Sequence, residues 1–201
     1  LLLCVSIVSV CPGCYPTYKP VYVLETRTTL GMVDDPYRQL HTPALSGFIA
    51  SKLSQILAQK QLVSELVPPE RVRALAHQLG DEYIRTPIDR VGKEVGAEQV
   101  LHIEIVQTQL QTDPGYYRPS AQVRVKVIDA VAGKRLFPSS DQALGGRAVG
   151  GYRTVEVSMP PMQRHDTGRG DDAMMSRVLA ERIARDVGRL FHEWEQVGIE
   201  E

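Results

Sequence analysis

The sequence predicts an α/β (α+β) fold: a single domain with a mixed, mostly antiparallel sheet and about four helices packed on it. Three observations predict it. Leu101, Ile103 and Ile105 alternate with His102, Glu104 and Val106, and Ala121, Val123, Val125 and Val127 alternate with Gln122, Arg124, Lys126 and Ile128. Strict alternation sets one face of a strand on a core and the other toward solvent or a partner. Apolar stripes at three-and-four spacing mark two longer helices, at residues 45–57 and 175–194. The chain has 201 residues, 43% hydrophobic and 23% charged, which suits one domain with a buried core.

The elements follow in chain order. Residues 1–10 are an apolar run that ends in Cys11-Pro12-Gly13-Cys14. An apolar core, a small residue, a cysteine and then a polar Pro/Tyr stretch is the pattern of a bacterial lipoprotein leader. No basic segment of the kind that opens a secretory leader precedes the run, so residues 1–13 read as a truncated lipoprotein signal peptide. Residues 14–20 are then a lipidated Cys14 and an extended tether, and residues 21–197 the α/β domain. The run falls short of the ~20 apolar residues that span a bilayer. A truncated transmembrane anchor and an ordinary signal peptide stay open as alternatives.

Val21-Tyr22-Val23-Leu24 is β-prone and reads as the first strand; residues 26–41 read as turns around Asp34-Asp35-Pro36. Thr42-Pro43 opens the first helix, with Thr42 as N-cap. Leu45, Phe48, Ile49, Leu53, Ile56 and Leu57 form its stripe. Leu62 to Val67 reads as a second strand. Pro68-Pro69-Glu70 opens a helix with Val72, Leu75, Ala76 and Leu79 inward, stopped by Gly80. Thr86-Pro87-Ile88-Asp89 resembles a capping box for a short helix with Ile88, Val91 and Val95 inward, closed by Gly96.

The two alternating strands come next, joined through Asp113-Pro114-Gly115 as an antiparallel hairpin with a long loop. Asp129 to Gly133 is a turn into a strand at 134–137. Tyr152 to Met159 reads as another strand, with Tyr152, Val155 and Val157 buried. After a polar loop at 160–170, Asp171 or Asp172 caps the last helix, whose stripe runs through Met175, Val178, Leu179, Ile183, Val187, Leu190, Phe191 and Trp194.

Charge and cysteines exclude several classes of function. A net charge of -1 gives no electrostatic case for nucleic acid, and no polybasic stretch addresses anionic lipid. The three cysteines, Cys4, Cys11 and Cys14, all lie in the leader, so the domain itself holds no disulfide and no thiolate metal site. Cys11-Pro12-Gly13-Cys14 matches a redox C-x-x-C, but that chemistry needs a helix N-terminus, and prolines and glycine surround it.

The candidate chemistry is sparse. His102 and Glu104 share a strand face, as an acid/base pair or two metal ligands would. The alternative is a solvated face where Glu104 pairs with Arg124 or Lys126, worth roughly 0.2–1 kcal/mol. A third ligand is not identifiable, and a zinc site needs three or four. His165-Asp166 lies in a Gly/Pro-rich loop with no nucleophile beside it. His41 falls in a loop, and His77 and His192 on helices. Gly145-Gly146 and Gly150-Gly151 precede a strand, whereas a phosphate loop opens a helix and ends in Gly-Lys-Ser/Thr. Asp171 in Arg169-Gly170-Asp171 is explained as a helix cap. No residue is assigned to catalysis, to a cofactor or to a metal.

Val95-Gly96-Ala97-Glu98-Gln99-Val100-Leu101 is a helix ending in Gly-Ala and running into a strand. Val125-Lys126-Val127-Ile128-Asp129-Ala130, followed by Gly133-Lys134, is a strand–turn–strand signature, with Ala132 where Thr is common. Together with the element order, these resemble the α/β domain shared by the TolB amino-terminal domain, the curli secretion-channel lipoproteins and the penicillin-binding-protein activator lipoproteins. The resemblance implies a periplasm-facing lipoprotein that binds other envelope proteins; a homo-oligomer stays open. The long membrane-inserting strands of a channel former are not evident. By the sorting rule for such lipoproteins, Tyr15 after Cys14 implies the outer membrane. The expected function is a non-enzymatic, lipid-anchored assembly or accessory factor. An auxiliary lipoprotein of an envelope transporter or secretion system, and an envelope hydrolase or metal-dependent enzyme using His102, Glu104 or His165, are the alternatives.

Overall fold

A computed structural model describes residues 16–40, 42–113, 116–139, 148–149, 151–163 and 169–195. Cys4, Cys11, Cys14, His41, Gly145, Gly146, Gly150, His165 and Asp166 lie outside the described residues. In chain order the elements are β1 (Thr17–Tyr18), β2 (Thr28–Asp34), α1 (Ala44–Gln59), β3 (Glu65–Leu66), α2 (Pro69–Leu79), a 3-10 helix (Gly80–Arg85), α3 (Ile88–Glu94), β4 (Gln99–Asp113) and β5 (Tyr116–Asp129). Then come β6 (Lys134–Phe137), β7 (Ala148–Val149), β8 (Tyr152–Ser158), β9 (Met162–Gln163), α4 (Arg169–Gly188) and β10 (Trp194–Glu195). The fold is α+β, with an open mixed sheet in the order β3-β2-β4-β5-β8-β7. β2 runs parallel to β3 and β4, and every other described pair is antiparallel.

The β4–β5 hairpin is the spine of the sheet, and its alternation behaves as the sequence requires. Leu101, Ile103, Ile105, Val123, Val125 and Val127 are fully buried on one face. α1 and α4 cover that face with Ile49, Leu53, Leu57, Leu179, Ile183 and Val187. Each of these side chains is worth about 1.5–3 kcal/mol in burial. A second, smaller core lies on the opposite face. There α2 and α3 bring Val72, Leu75, Val91 and Val95 onto Leu30, Val100 and Ala130.

The turn between β5 and β6 shows how local chemistry makes the hairpin. Asp129 Oδ1 accepts from the backbone N–H groups of Val131 and Ala132, at 2.9 and 2.8 Å. These bonds, with the Arg27 guanidinium at 2.9 Å, hold the Asp129 carboxyl below its ordinary pKa. Gly133 then takes φ +64°, a left-handed conformation that glycine adopts without Cβ strain.

Several boundaries differ from the sequence expectation. The first sheet strand is Thr28–Asp34, inside the stretch read as turns, while Val21-Leu24 forms no strand. Instead the N–H groups of Val21 and Tyr22 both donate to the Leu190 carbonyl, and Leu24 is buried in the main core. Leu62–Val67 contributes only two strand residues, Glu65–Leu66. Pro43, not Thr42, occupies the N-cap of α1, and Thr42 serves through its carbonyl, which accepts from Leu45 N–H. Thr86 makes no capping box, because its hydroxyl donates back to the Glu82 carbonyl. The expected long hairpin loop is strand: β4 and β5 continue past three register shifts to Asp113 and Tyr116.

At the other end, α4 begins at Arg169, so Asp171 and Asp172 sit in its first turn rather than at its cap. Asp172 instead accepts a 2.6 Å hydrogen bond from the buried Tyr117 hydroxyl. The helix stops at Gly188, which leaves Leu190, Phe191, His192 and Trp194 beyond it. Leu190 and Phe191 still reach the core. Val178 is 36% exposed, and Ala180 and Ala184 take the buried positions beside the stripe. Trp194 leads into β10, which pairs with β1.

Candidate functional site

The helical segment from α2 to α3 covers only part of its face of the sheet. Beside it lies a cleft of about 480 Å³, within the range of small-molecule sites. β2, β4 and β8 form the floor and the 3-10 helix and α3 the wall, with Met32, Asp34, Tyr83, Ile84, His102, Glu104 and Tyr152 among the lining residues. The register explains the grouping. Met32 and Asp34 on β2 pair with His102 and Glu104 on β4, and His102 and Glu104 pair with Lys126 and Arg124 on β5. All these even-numbered positions point to the same face.

His102 is not on a solvated face, as the alternation implied: it is 2% exposed. Its ring lies beside Tyr152, with centroids 5.9 Å apart. Nε2 donates to Asp34 Oδ2 at 2.8 Å, while buried Nδ1 has no hydrogen-bond partner among the described residues. Glu104 pairs with Arg124 at 3.3 Å, as one branch of the sequence reading holds. Its charge also acts on the nearby Tyr152 phenol. Lys126, the other branch, sets its ammonium 4.2 Å from the Tyr152 ring centroid, a cation–π arrangement.

Tyr152 is the residue sequence reasoning placed on the wrong side. Val155 packs against the main core and Val157 is buried in it. Tyr152 is three residues before Val155, so a period of two turns it to the cleft. That spacing is the signal by which it could have been found. Burial and the Glu104 carboxylate push its phenol up to about 12. Burial, then Asp34, also raises the Tyr83 phenol. Burial pushes the Lys126 ammonium down, against the pull of Glu104 and Asp34.

The carboxylates around the cleft are already engaged. Asp34 holds His102, and Glu104 holds Arg124. Asp35 accepts the backbone N–H groups of Gln39 and Leu40 at 2.7 and 2.8 Å. Thr86, a hydroxyl in the lining, is spent on the Glu82 carbonyl. Among the described residues no group of three His, Cys, Asp or Glu side chains is placed to hold a metal ion. The arrangement suits recognition: an apolar and aromatic rim from Met32, Tyr83, Ile84 and Tyr152, with a polar floor of fixed geometry. Ile84 is 86% exposed on that rim. His77 sits on α2 and is not among the lining residues of this cleft, and His192 follows α4.

Fold and site define a single α+β domain with a half-covered sheet face. No protein-family model matches the chain, and no curated protein matches it in sequence. Among solved structures it is similar to the PelC dodecamer from Paraburkholderia phytofirmans, with 13% identity and a TM-score of 0.44 over 88% of this chain and 96% of that one. It is similar also to the lipoprotein GNA1162 from Neisseria meningitidis, with 11% identity and a TM-score of 0.45 over 79% and 99%. A third likeness is to the LpoB C-terminal domain from Salmonella enterica, with 14% identity and a TM-score of 0.39 over 71% and 86%.

Proposed function

We propose that this chain is a lipid-anchored cell-envelope protein, held through Cys14 in the outer membrane and facing the periplasm. There it acts as a non-enzymatic accessory factor that binds other envelope proteins, with self-association left open. One observation carries the reading: the apolar run ending in Gly13-Cys14 stops three residues short of Thr17, the first residue paired into the domain. An anchor so placed gives the domain an address on a membrane surface, with only the residues between Cys14 and Thr17 as its connection. Among the described residues no helix is long and apolar enough to cross a membrane. The cleft of engaged carboxylates beside an exposed apolar rim supports binding as its chemistry.

The test is fractionation of cells expressing the full chain behind a complete leader, with membranes washed in high salt. The wild-type protein should stay with the outer membrane until detergent is added. Cys14→Ser should appear as a soluble periplasmic protein. A Cys14→Ser variant that resists the salt wash as the wild type does would sink the anchor.

A second reading, an envelope hydrolase or metal-dependent enzyme, is favoured by the buried His102–Asp34 pair with its Nδ1 unpartnered among the described residues. Metal analysis of the purified chain separates the two. A stoichiometric metal that His102→Ala loses would overturn the ranking.

A further inference from the structure

A second groove, of about 370 Å³, lies on the other side of the molecule, between α1 and the C-terminal half of α4. Its lining includes Lys52 from α1 and Lys60 just past its end, Arg185 from α4, and Arg189 and Trp194 beyond α4, with Glu181 the one carboxylate among the described lining residues. The chain as a whole carries a net charge of -1, so this concentration of cations is local. Arg189 is already bonded to Asp186 at 2.8 Å, and its guanidinium lies 4.1 Å from the Trp194 ring centroid. Arg185 has Glu181 only at 3.8 Å and is half exposed, so Lys52, Lys60 and Arg185 are the cations with most to offer a ligand.

The groove also adjoins the point where the chain enters the domain. Tyr18 of β1 stacks on Trp194 of β10, with centroids 4.3 Å apart and rings 11° from parallel. Tyr18 is 41% exposed, Val21 39% and Val23 70%, so apolar surface continues beside the basic lining. Cys14 is three residues before Thr17, and a chain extends at most ~3.6 Å per residue. The backbone at Cys14 is therefore bound to lie within roughly 11 Å of Thr17. Aromatic rings beside cations are what a protein presents to a membrane–water interface.

We infer that this groove is the face the domain lays on the anionic lipid headgroups of the membrane that holds it. The placement beside the bilayer rests on the Cys14 anchor; the charge complementarity of the groove does not. A domain held this way stands with α1 and α4 toward the lipid, and the cleft around His102, on the opposite sheet face, points away toward soluble or membrane-borne partners.

The experiment uses the mature chain from residue 14 carrying Cys14→Ser, so that neither the apolar leader nor an acyl group contributes, in co-sedimentation with phosphatidylcholine vesicles with and without phosphatidylglycerol. Binding is expected only to the vesicles with phosphatidylglycerol and is expected to fall with added salt. Each basic side chain near an anionic surface contributes about fivefold in affinity, so Lys52→Gln, Lys60→Gln and Arg185→Gln together should weaken it about a hundredfold. Lys52 and Arg185 are on helices and Lys60 caps the end of α1, and an unchanged melting temperature shows that the triple variant folds. Arg73→Gln with Lys93→Gln, on α2 and α3, should bind as the parent does. No binding to either vesicle, equal binding to both, or equal loss in the two sets of variants overturns the inference. Failure of the anchor is read separately, from the salt-washed membranes of the fractionation experiment.

Discussion

Replacing His102 by leucine should make this protein more stable. The ring is 2% exposed, and Nδ1 has no hydrogen-bond partner among the described residues. A buried polar atom left unsatisfied costs about 1–3 kcal/mol. Against that stands the bond from Nε2 to Asp34, whose side chain is 42% exposed and keeps its water. Such a half-exposed pair returns at most about 1 kcal/mol. Leucine nearly matches imidazole in size and demands no partner, so His102→Leu should gain about 1 kcal/mol. In a domain of this length that is about 2–4 °C in melting temperature. Urea denaturation measures it as a higher midpoint at unchanged slope. A loss of about 1 kcal/mol or more would refute the reasoning, because it would mean that Nδ1 is satisfied in the folded protein. A gain would mark His102 as a residue kept against the interest of the fold, which is how binding groups behave.

Two further outcomes follow from the same geometry. A Cβ on Gly92 of α3 would sit 2.4 Å from Val100 Cγ2 and 3.0 Å from Ala130 Cβ, both on buried residues. Helix propensity favours alanine by about 1 kcal/mol, but overpacking costs about 1–3; Gly92→Ala should therefore lose stability, and a higher denaturation midpoint would show that the contact between α3 and β4 is slack. The Tyr152 phenol ionises near 12 in the fold and near 10 when unfolded. A raised folded pKa contributes stability that is whole below the unfolded value and fades as pH climbs through the folded one. Tyr152→Phe should thus lose less stability than the wild type across that alkaline window, and parallel losses in urea titrations would contradict the assignment.

What the sequence revealed and what it hid divide along the range of the interactions. β4 and β5 were legible because each carries its own alternation, and α1 and α4 because each carries its own stripe. β2 was not, since Gly31 and Asp34-Asp35-Pro36 look like turn residues; its strand conformation comes from parallel pairing with residues 65–66 and 99–104. Glu104 with Arg124 could be read from adjacent strands. The burial of His102 could not, because the neighbouring Tyr152 is distant in sequence and the wall is a 3-10 helix that no pattern announced. The basic groove was hidden for the same reason: no polybasic stretch exists, and residues 52, 60 and 185 become neighbours only when α1 packs on α4.

The pairing of β1 with β10 also decides how the molecule would bear tension. A pull on the chain ahead of Thr17 enters at a two-residue bridge, then meets the Tyr18–Trp194 stack and the two hydrogen bonds to the Leu190 carbonyl. These few contacts lie in series with the rest of the domain and would peel one after another. The long β4–β5 ladder stands outside that line of force. Residues 17–22 would thus act as a mechanical fuse, giving way while the sheet and its cleft stay intact.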